Sequence, residues 1–442
     1  MTGRGERSAV GAATIGGGLG VVLLLHLLEP PLAITWSYAH LGRHPALPVL
    51  ALALVVVLPL AAHGLHRSRL WTRPSAPWPW PLALATLAVL AIVLPVAATR
   101  FPPFQPGLDQ HYYLGAVNDA SRGIKRWYLA GLFANAIARY FAGAPRGLLQ
   151  VWMVSNTVLR MNALFGAVAL AALAGAARTL AATRGEAVAL TLLAWTSFGV
   201  VEIAAGYLDI YPSALAFLAL YLWTGLRALR GEVHPAWAFA IAALGPFWYE
   251  GLASLAPSLA LLAWLVAWRP GGVVRVATAS AVALAVSGLA TLPGYGVPFA
   301  WGAFVGDVIA QNATEFGYSP TTSLVPWSML FAAPHLREVV HTILLVDAVG
   351  VLLLVVCGTA AVRQRAREPE ILFLASVALP YLAYVLAMDA VQGAFADWDL
   401  FSYGAATTSL LGGGLFMRWG RQRAPVFGAL LGLALATNAV HL

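Results

Sequence analysis

Apolar residues along this chain come in runs of about 17–25, punctuated by short polar loops. Such runs match the length of helix that crosses a hydrocarbon core about 30 Å thick. The pattern predicts spans at roughly 10–28, 46–65, 80–99, 155–177, 186–205, 208–226, 235–249, 251–268, 273–292, 339–361, 370–390, 402–417 and 424–441. The expected fold is therefore an all-α polytopic membrane protein of about 11–13 transmembrane helices. Two of these spans, 235–249 and 251–268, are short and are interrupted by Pro246 and Gly251. Two stretches fall outside the pattern, 100–154 and 293–338. The chain reads as one membrane domain: N-terminal spans over 1–99, a loop with interfacial helices over 100–154, and central spans over 155–292. A second loop over 293–338 and C-terminal spans over 339–442 complete it.

Composition agrees with the pattern. Of 442 residues, 60% are hydrophobic and 10% charged, far below the roughly 25% charged of soluble domains. The net charge of +8 does not mark a nucleic-acid surface, because the arginines sit one to three at a time between spans. They sort by side instead. With the N-terminus in the cytoplasm, the cytoplasmic loops carry Arg4 and Arg7; Arg67, Arg69 and Arg73; Arg178 and Arg184; and Arg227 and Arg230. Further along they carry Arg269 and Arg275; Arg363, Arg365 and Arg367; and Arg418, Arg421 and Arg423. Outside the 100–160 stretch the opposite face holds only Arg43 and Arg337, which predicts the orientation by the positive-inside rule. Residues 8–28 carry no small-residue cleavage site and read as an uncleaved first span. The single cysteine, Cys357, excludes an internal disulfide. One lysine among the 26 basic residues, with abundant Ala, Gly and Leu, points to a GC-rich bacterial gene and to the inner membrane.

This orientation puts most carboxylates outside, among them Glu202, Asp209, Glu250, Asp389, Asp397 and Asp399. Charge at or within a helix end is costly unless paired or wetted, so the acids predict a polar, outward-facing cavity. The first outer loop adds Gly107-Leu108-Asp109-Gln110-His111-Tyr112-Tyr113, then a basic group of Arg122, Lys125 and Arg126. Trp127, Leu129, Leu132, Phe133, Ala136 and Tyr140 follow at helical spacing, as in an amphipathic helix with its apolar face in lipid. Arginine's planar fork suits a lipid phosphate, so Arg122, Lys125 and Arg126 are candidate phosphate ligands. Asp109 suits a general base toward a hydroxyl, and equally a turn after Gly107.

These features resemble the GT-C superfamily of integral-membrane glycosyltransferases. The resemblance rests on the long first loop with Asp109, on Gly206-Tyr207-Leu208-Asp209-Ile210-Tyr211-Pro212, and on Ala396-Asp397-Trp398-Asp399-Leu400-Phe401. One departure stands out: Asp109 follows the third span, whereas members commonly place this loop after the first. The resemblance implies transfer of a sugar from a polyprenyl-phosphate donor to an extracytoplasmic glycan, lipid or protein acceptor, with inversion. Asp109 would be the catalytic base. Substrate would be bound by His111, Tyr112, Arg122, Lys125, Arg126, Glu202, Tyr207, Asp209, Tyr249, Glu250, Asp397, Trp398 and Asp399.

Asp397 and Asp399 in a loop can share Mg²⁺ or Mn²⁺; in a helix they diverge and cannot. Trp398 stacks on a sugar or sits in the interfacial aromatic belt. Phe247-Trp248-Tyr249-Glu250 lies where two short spans meet, and Asp347 is expected to make helix-packing hydrogen bonds. No nucleotide-binding glycine motif follows a strand, so a sugar donor would arrive on its lipid. Two other readings share the pattern: a secondary transporter, and an O-antigen ligase or polymerase-like envelope transferase.

Overall fold

The computed structural model describes residues 73–75, 80–100, 129, 133, 148–207, 209–315, 324–365, 368–388 and 401–420. Among them the chain is α-helical, with no strand beyond isolated bridges at Pro74–Thr183 and Leu324–Met388. The helices are α1 Trp80–Arg100, α2 Leu148–Leu180, α3 Arg184–Trp195, α4 Phe198–Ala204, α5 Tyr211–Leu229 and α6 Ala236–Trp248. Next come a 3₁₀ segment Glu250–Leu255, α7 Ala256–Ala267, α8 Gly272–Ala290, a single turn Leu292–Tyr295 and α9 Trp301–Glu315. The last are α10 Ala333–Arg365, α11 Pro369–Ala387 and α12 Ala405–Gly420.

The protein is a multi-pass membrane protein. Six described segments are long and apolar enough to cross a bilayer, and α3 with α4 adds a seventh if the bent pair counts as one. The apolar runs at 10–28, 46–65 and 424–441 lie outside the described residues. The predicted span 186–205 is broken: α3 and α4 meet at a 74° bend. Its cause is local. Ser197 is extended and starts a new helix, and a Cβ on Gly166 of α2 would overlap the carbonyl of Ala204, so α4 is tucked against α2. The entry to α3 is fixed by a capping box: Glu186 N–H donates to Thr183 Oγ1 at 3.2 Å and Thr183 N–H to Glu186 Oε2 at 3.4 Å. The span 235–249 is a helix of 13 residues, about 20 Å long and too short to cross alone.

Helix ends gather on two faces. On one, Arg227 pairs with Glu232 at 3.1 Å, Arg230 with Glu370 at 3.5 Å, and Arg418 with Glu368. Arg275 donates to the Val233 carbonyl at 2.9 Å, and Arg184 N–H to Arg73 O at 3.1 Å. The arginines predicted to share a side therefore do share one among the described residues. Trp237, Trp264 and Trp268 are exposed beside them, and Phe299, Trp301, Trp327 and Phe331 are exposed in the segments that begin beyond the far end of α8. The 19 residues of α8 between these aromatic groups measure about 28 Å, one hydrocarbon thickness.

The helical residues Leu129 and Phe133, one turn apart, correct the expected position of the amphipathic helix. Leu129 packs on the Phe247–Ala290–Phe304 cluster, and Phe133 meets Phe165 and Trp248 at ring distances of 6.0 and 5.7 Å. At these positions the apolar stripe rests on the bundle and not on lipid alone. The second loop, 293–338, holds α9, a helix not read from the sequence; Phe247 packs on its Phe304 at 4.7 Å, and its Asp307 accepts from Tyr295 Oη at 2.8 Å.

Candidate functional site

At the end away from the arginine pairs, three chain reversals converge. The first joins α4 to α5. Gly206 has φ +103°, open to glycine without penalty, and turns the chain there. Asn162 of α2 clamps the reversal, donating through Nδ2 to Tyr207 O at 2.6 Å and Asp209 O at 2.8 Å. Asp209 Oδ1 accepts from Ile210 N–H at 2.5 Å just before α5, whose Pro212 stands in the first turn. Ser213 then donates to Ile210 O at 2.5 Å and accepts from Trp248 Nε1 at 2.6 Å.

The second reversal is the α6 end. Tyr249 is extended (φ −149°, ψ 120°) and hands the chain to the 3₁₀ segment that opens with Glu250. Trp248 is its anchor, with Phe165 at 5.6 Å and Phe217 at 5.2 Å. The third is the entry to α12 at Phe401–Gly404. Tyrosine rings link all three. Tyr211 meets Tyr249 at 5.6 Å, Tyr249 meets Tyr403 at 5.6 Å, and Tyr403 meets Tyr381 at 6.1 Å. Tyr381 Oη donates to Phe401 O, and Tyr403 is hydrogen-bonded to Ser254 with Glu250 close enough to act on it electrostatically.

Of the site residues read from sequence, the structure brings Tyr207, Asp209, Tyr249 and Glu250 into this aromatic-acidic knot. Glu202 sits half-buried on the last turn of α4, on the other side of the reversal from Asp209, so the two lie on separate helix ends. Three expectations change. Tyr207, Asp209 and Tyr249 are all buried, and Asp209 serves the α5 entry, so none of the three lines an outer surface. Asp109, His111, Tyr112, Arg122, Lys125, Arg126, Asp397, Trp398 and Asp399 lie outside the described residues. So does Asp389, whereas Phe401, two residues beyond Asp399, belongs to the knot. Among the described residues no three His, Cys, Asp or Glu side chains group to hold a metal ion.

Sequence reading missed Asn162, Ser213, Tyr211, Tyr381 and Tyr403 as members. An amide within the apolar stretch of α2, Asn162, was the available signal, since a buried amide needs partners. Asp347 was read as a packing residue, and it does hydrogen-bond across helices, to Thr408 and Ser409 of α12. It also breaks α10, which the sequence did not announce. No protein-family model matches the chain, and no curated protein aligns with it.

Proposed function

We propose that the protein is a membrane glycosyltransferase similar to the GT-C superfamily, moving a sugar from a polyprenyl-phosphate donor to an extracytoplasmic acceptor. The observation that carries this reading is the knot itself: tyrosines and acids from three broken or reversed spans gather at the end opposite the arginine pairs. Leu129 and Phe133, 20 and 24 residues beyond Asp109, rest on the same end of the bundle. In this reading Asp109, which belongs to the same loop as these two residues, works at that end. The arginine-rich face is assigned to the cytoplasm and the knot to the outside of a bacterial inner membrane.

In this mechanism the acceptor hydroxyl oxygen attacks the anomeric carbon and gives its proton to the Asp109 carboxylate. The bond from that carbon to the phosphate oxygen breaks with inversion. Polyprenyl phosphate leaves with the electron pair, its charge met by Arg122, Lys125 and Arg126. His111, Tyr112, Glu202, Glu250 and Trp398 bind the sugar and acceptor, while the buried Tyr207 and Tyr249 hold the helix ends that carry Glu202 and Glu250. Asp397 and Asp399 are the pair that would hold Mg²⁺ or Mn²⁺.

Purified protein assayed with polyprenyl-phosphate sugars tests the reading. Asp109→Asn is expected to lower transfer about 10²–10⁴-fold while leaving membrane insertion and thermal unfolding unchanged. Full transfer by that variant overturns it. Arg122→Gln with Arg126→Gln is expected to weaken donor binding. A second reading, secondary transport, is favoured by one observation: the breaks in α3–α4 and α10 meet, with Gly199 against Val346. Ion-driven solute uptake into proteoliposomes, without transfer, selects it.

A further inference from the structure

Asp347 stands where α10 stops being helical, with φ −156° and ψ 62°. It is 3% exposed, and no described basic side chain forms a salt bridge with it. Three donors converge on the carboxylate. Thr408 Oγ1–H reaches Oδ2, Ser409 Oγ–H reaches Oδ1 at 2.8 Å, and Gly350 N–H reaches Oδ1 at 3.1 Å. The last contact makes Asp347 an N-cap inside a membrane helix, starting the second half of α10. All three contacts favour the ionised carboxylate, and the first turns of α12 add a favourable dipole. Yet a negative charge at this depth, about 15–20 Å from the arginine end along α12, is expensive without a counter-charge.

Backbone oxygens also gather where the two helix breaks meet. The carbonyls of Val346 and Ser402 lie 3.1 and 3.0 Å from where a Cβ on Gly199 would stand, so glycine lets both approach α4. Broken helices present carbonyls in this way to small cations. The Thr408 hydroxyl can also turn. It lies 3.1 Å from Ala405 O, and it can donate there while accepting from a protonated Asp347. A proton on Oδ2 therefore costs no hydrogen bond.

We infer that Asp347, with Thr408 and Ser409, binds a small monovalent cation, sodium or a proton, at the meeting point of the α3–α4 and α10 breaks. The site stands on its own geometry, whether the protein transfers sugars or moves solutes. Titratable and charged groups from the elements around it are few: Tyr381 from α11, His341 on α10 itself, Glu202 on the last turn of α4, and Arg418 about 15 Å along α12. The α3 residues packed on α12, Leu190 and Leu193, are apolar.

Full-length protein in lipid nanodiscs tests the site in two arms. In alkaline buffer, sodium chloride well above its dissociation constant is expected to raise the unfolding temperature by roughly 3–5 °C over equal choline chloride. If the bound cation is instead a proton, infrared difference spectra between alkaline and neutral buffer, where exposed carboxylates stay ionised, gain a protonated-carboxyl band. Either signal supports the site if Asp347→Asn removes it while Asp307→Asn retains it. Thr408→Val is expected to weaken the signal and Thr408→Ser to keep it. That pair decides the matter should Asp347→Asn fail to fold. Absence of both signals in the wild type, their survival in Asp347→Asn, or equal behaviour of the two Thr408 variants overturns the inference.

Discussion

Single side chains hold the knot together by satisfying backbone groups that have no helical partner. Asn162 is the clearest case, since its Nδ2 serves two carbonyls of a reversal that carries buried Tyr207 and Asp209. Removing the amide strands both carbonyls away from water, at about 1–3 kcal/mol each before relaxation. Asn162→Leu is therefore expected to destabilise the protein by about 2–4 kcal/mol, read as a lower unfolding temperature in detergent. Wild-type stability in this variant would mean that water reaches the reversal. Trp248→Phe is a gentler probe on the same reasoning. It keeps the ring contacts with Phe165 and Phe217 but leaves Ser213 without its indole donor, and a loss of about 1 kcal/mol is expected. Little of this was legible in the sequence. A pattern of apolar runs reports which segments face lipid or core, and it carries no information on which carbonyl a given amide will reach.

Helices were far easier to read than their breaks. The runs at 208–226, 273–292 and 370–390 match α5, α8 and α11 to within a few residues, because about 20 apolar residues are both the sequence signal and the physical requirement. Pro246 and Gly251 did mark the broken pair α6–α7, with Tyr249 extended between them. The 74° bend after Trp195 and the break at Asp347 had no proline beside them and escaped. Their causes are tertiary: α4 is drawn onto α2 at Gly166, and the Asp347 carboxylate takes the Gly350 N–H from the helix ladder. Gly166→Val tests the first cause. The new side chain would overlap the Ala204 carbonyl, and a loss of about 1–3 kcal/mol is expected, measured by thermal unfolding. A well-folded Gly166→Val protein would show that α4 can move off α2 at little cost.

On the scale of the whole molecule, one asymmetry underlies the functional reading: arginines with their partner glutamates meet at one end of the bundle, and the tyrosine knot with Glu250 lies at the other. Sequence alone predicted this sorting because short arginine loops resist translocation, whereas the acids sort only by elimination. The fold bears out the arginine end, where residues 73, 184, 227–234, 275, 368–370 and 418 meet through ion pairs and backbone contacts. Which end faces the cytoplasm is a separate question, and the molecule is well suited to answer it. Its single cysteine, Cys357, is 1% exposed, so impermeant maleimides should leave the native chain unlabelled. Trp327, 88% exposed in the segment between α9 and α10, and Trp268, 78% exposed beside Arg269, then serve as reporter positions for the two sides. In intact cells, Trp327→Cys is expected to label and Trp268→Cys to label only after the membrane is opened. The reverse result would turn the knot toward the cytosol, where lipid-linked sugar transfer to an outer acceptor has no place. Labelling of both positions from one side would instead break the link between the aromatic groups and a single membrane slab.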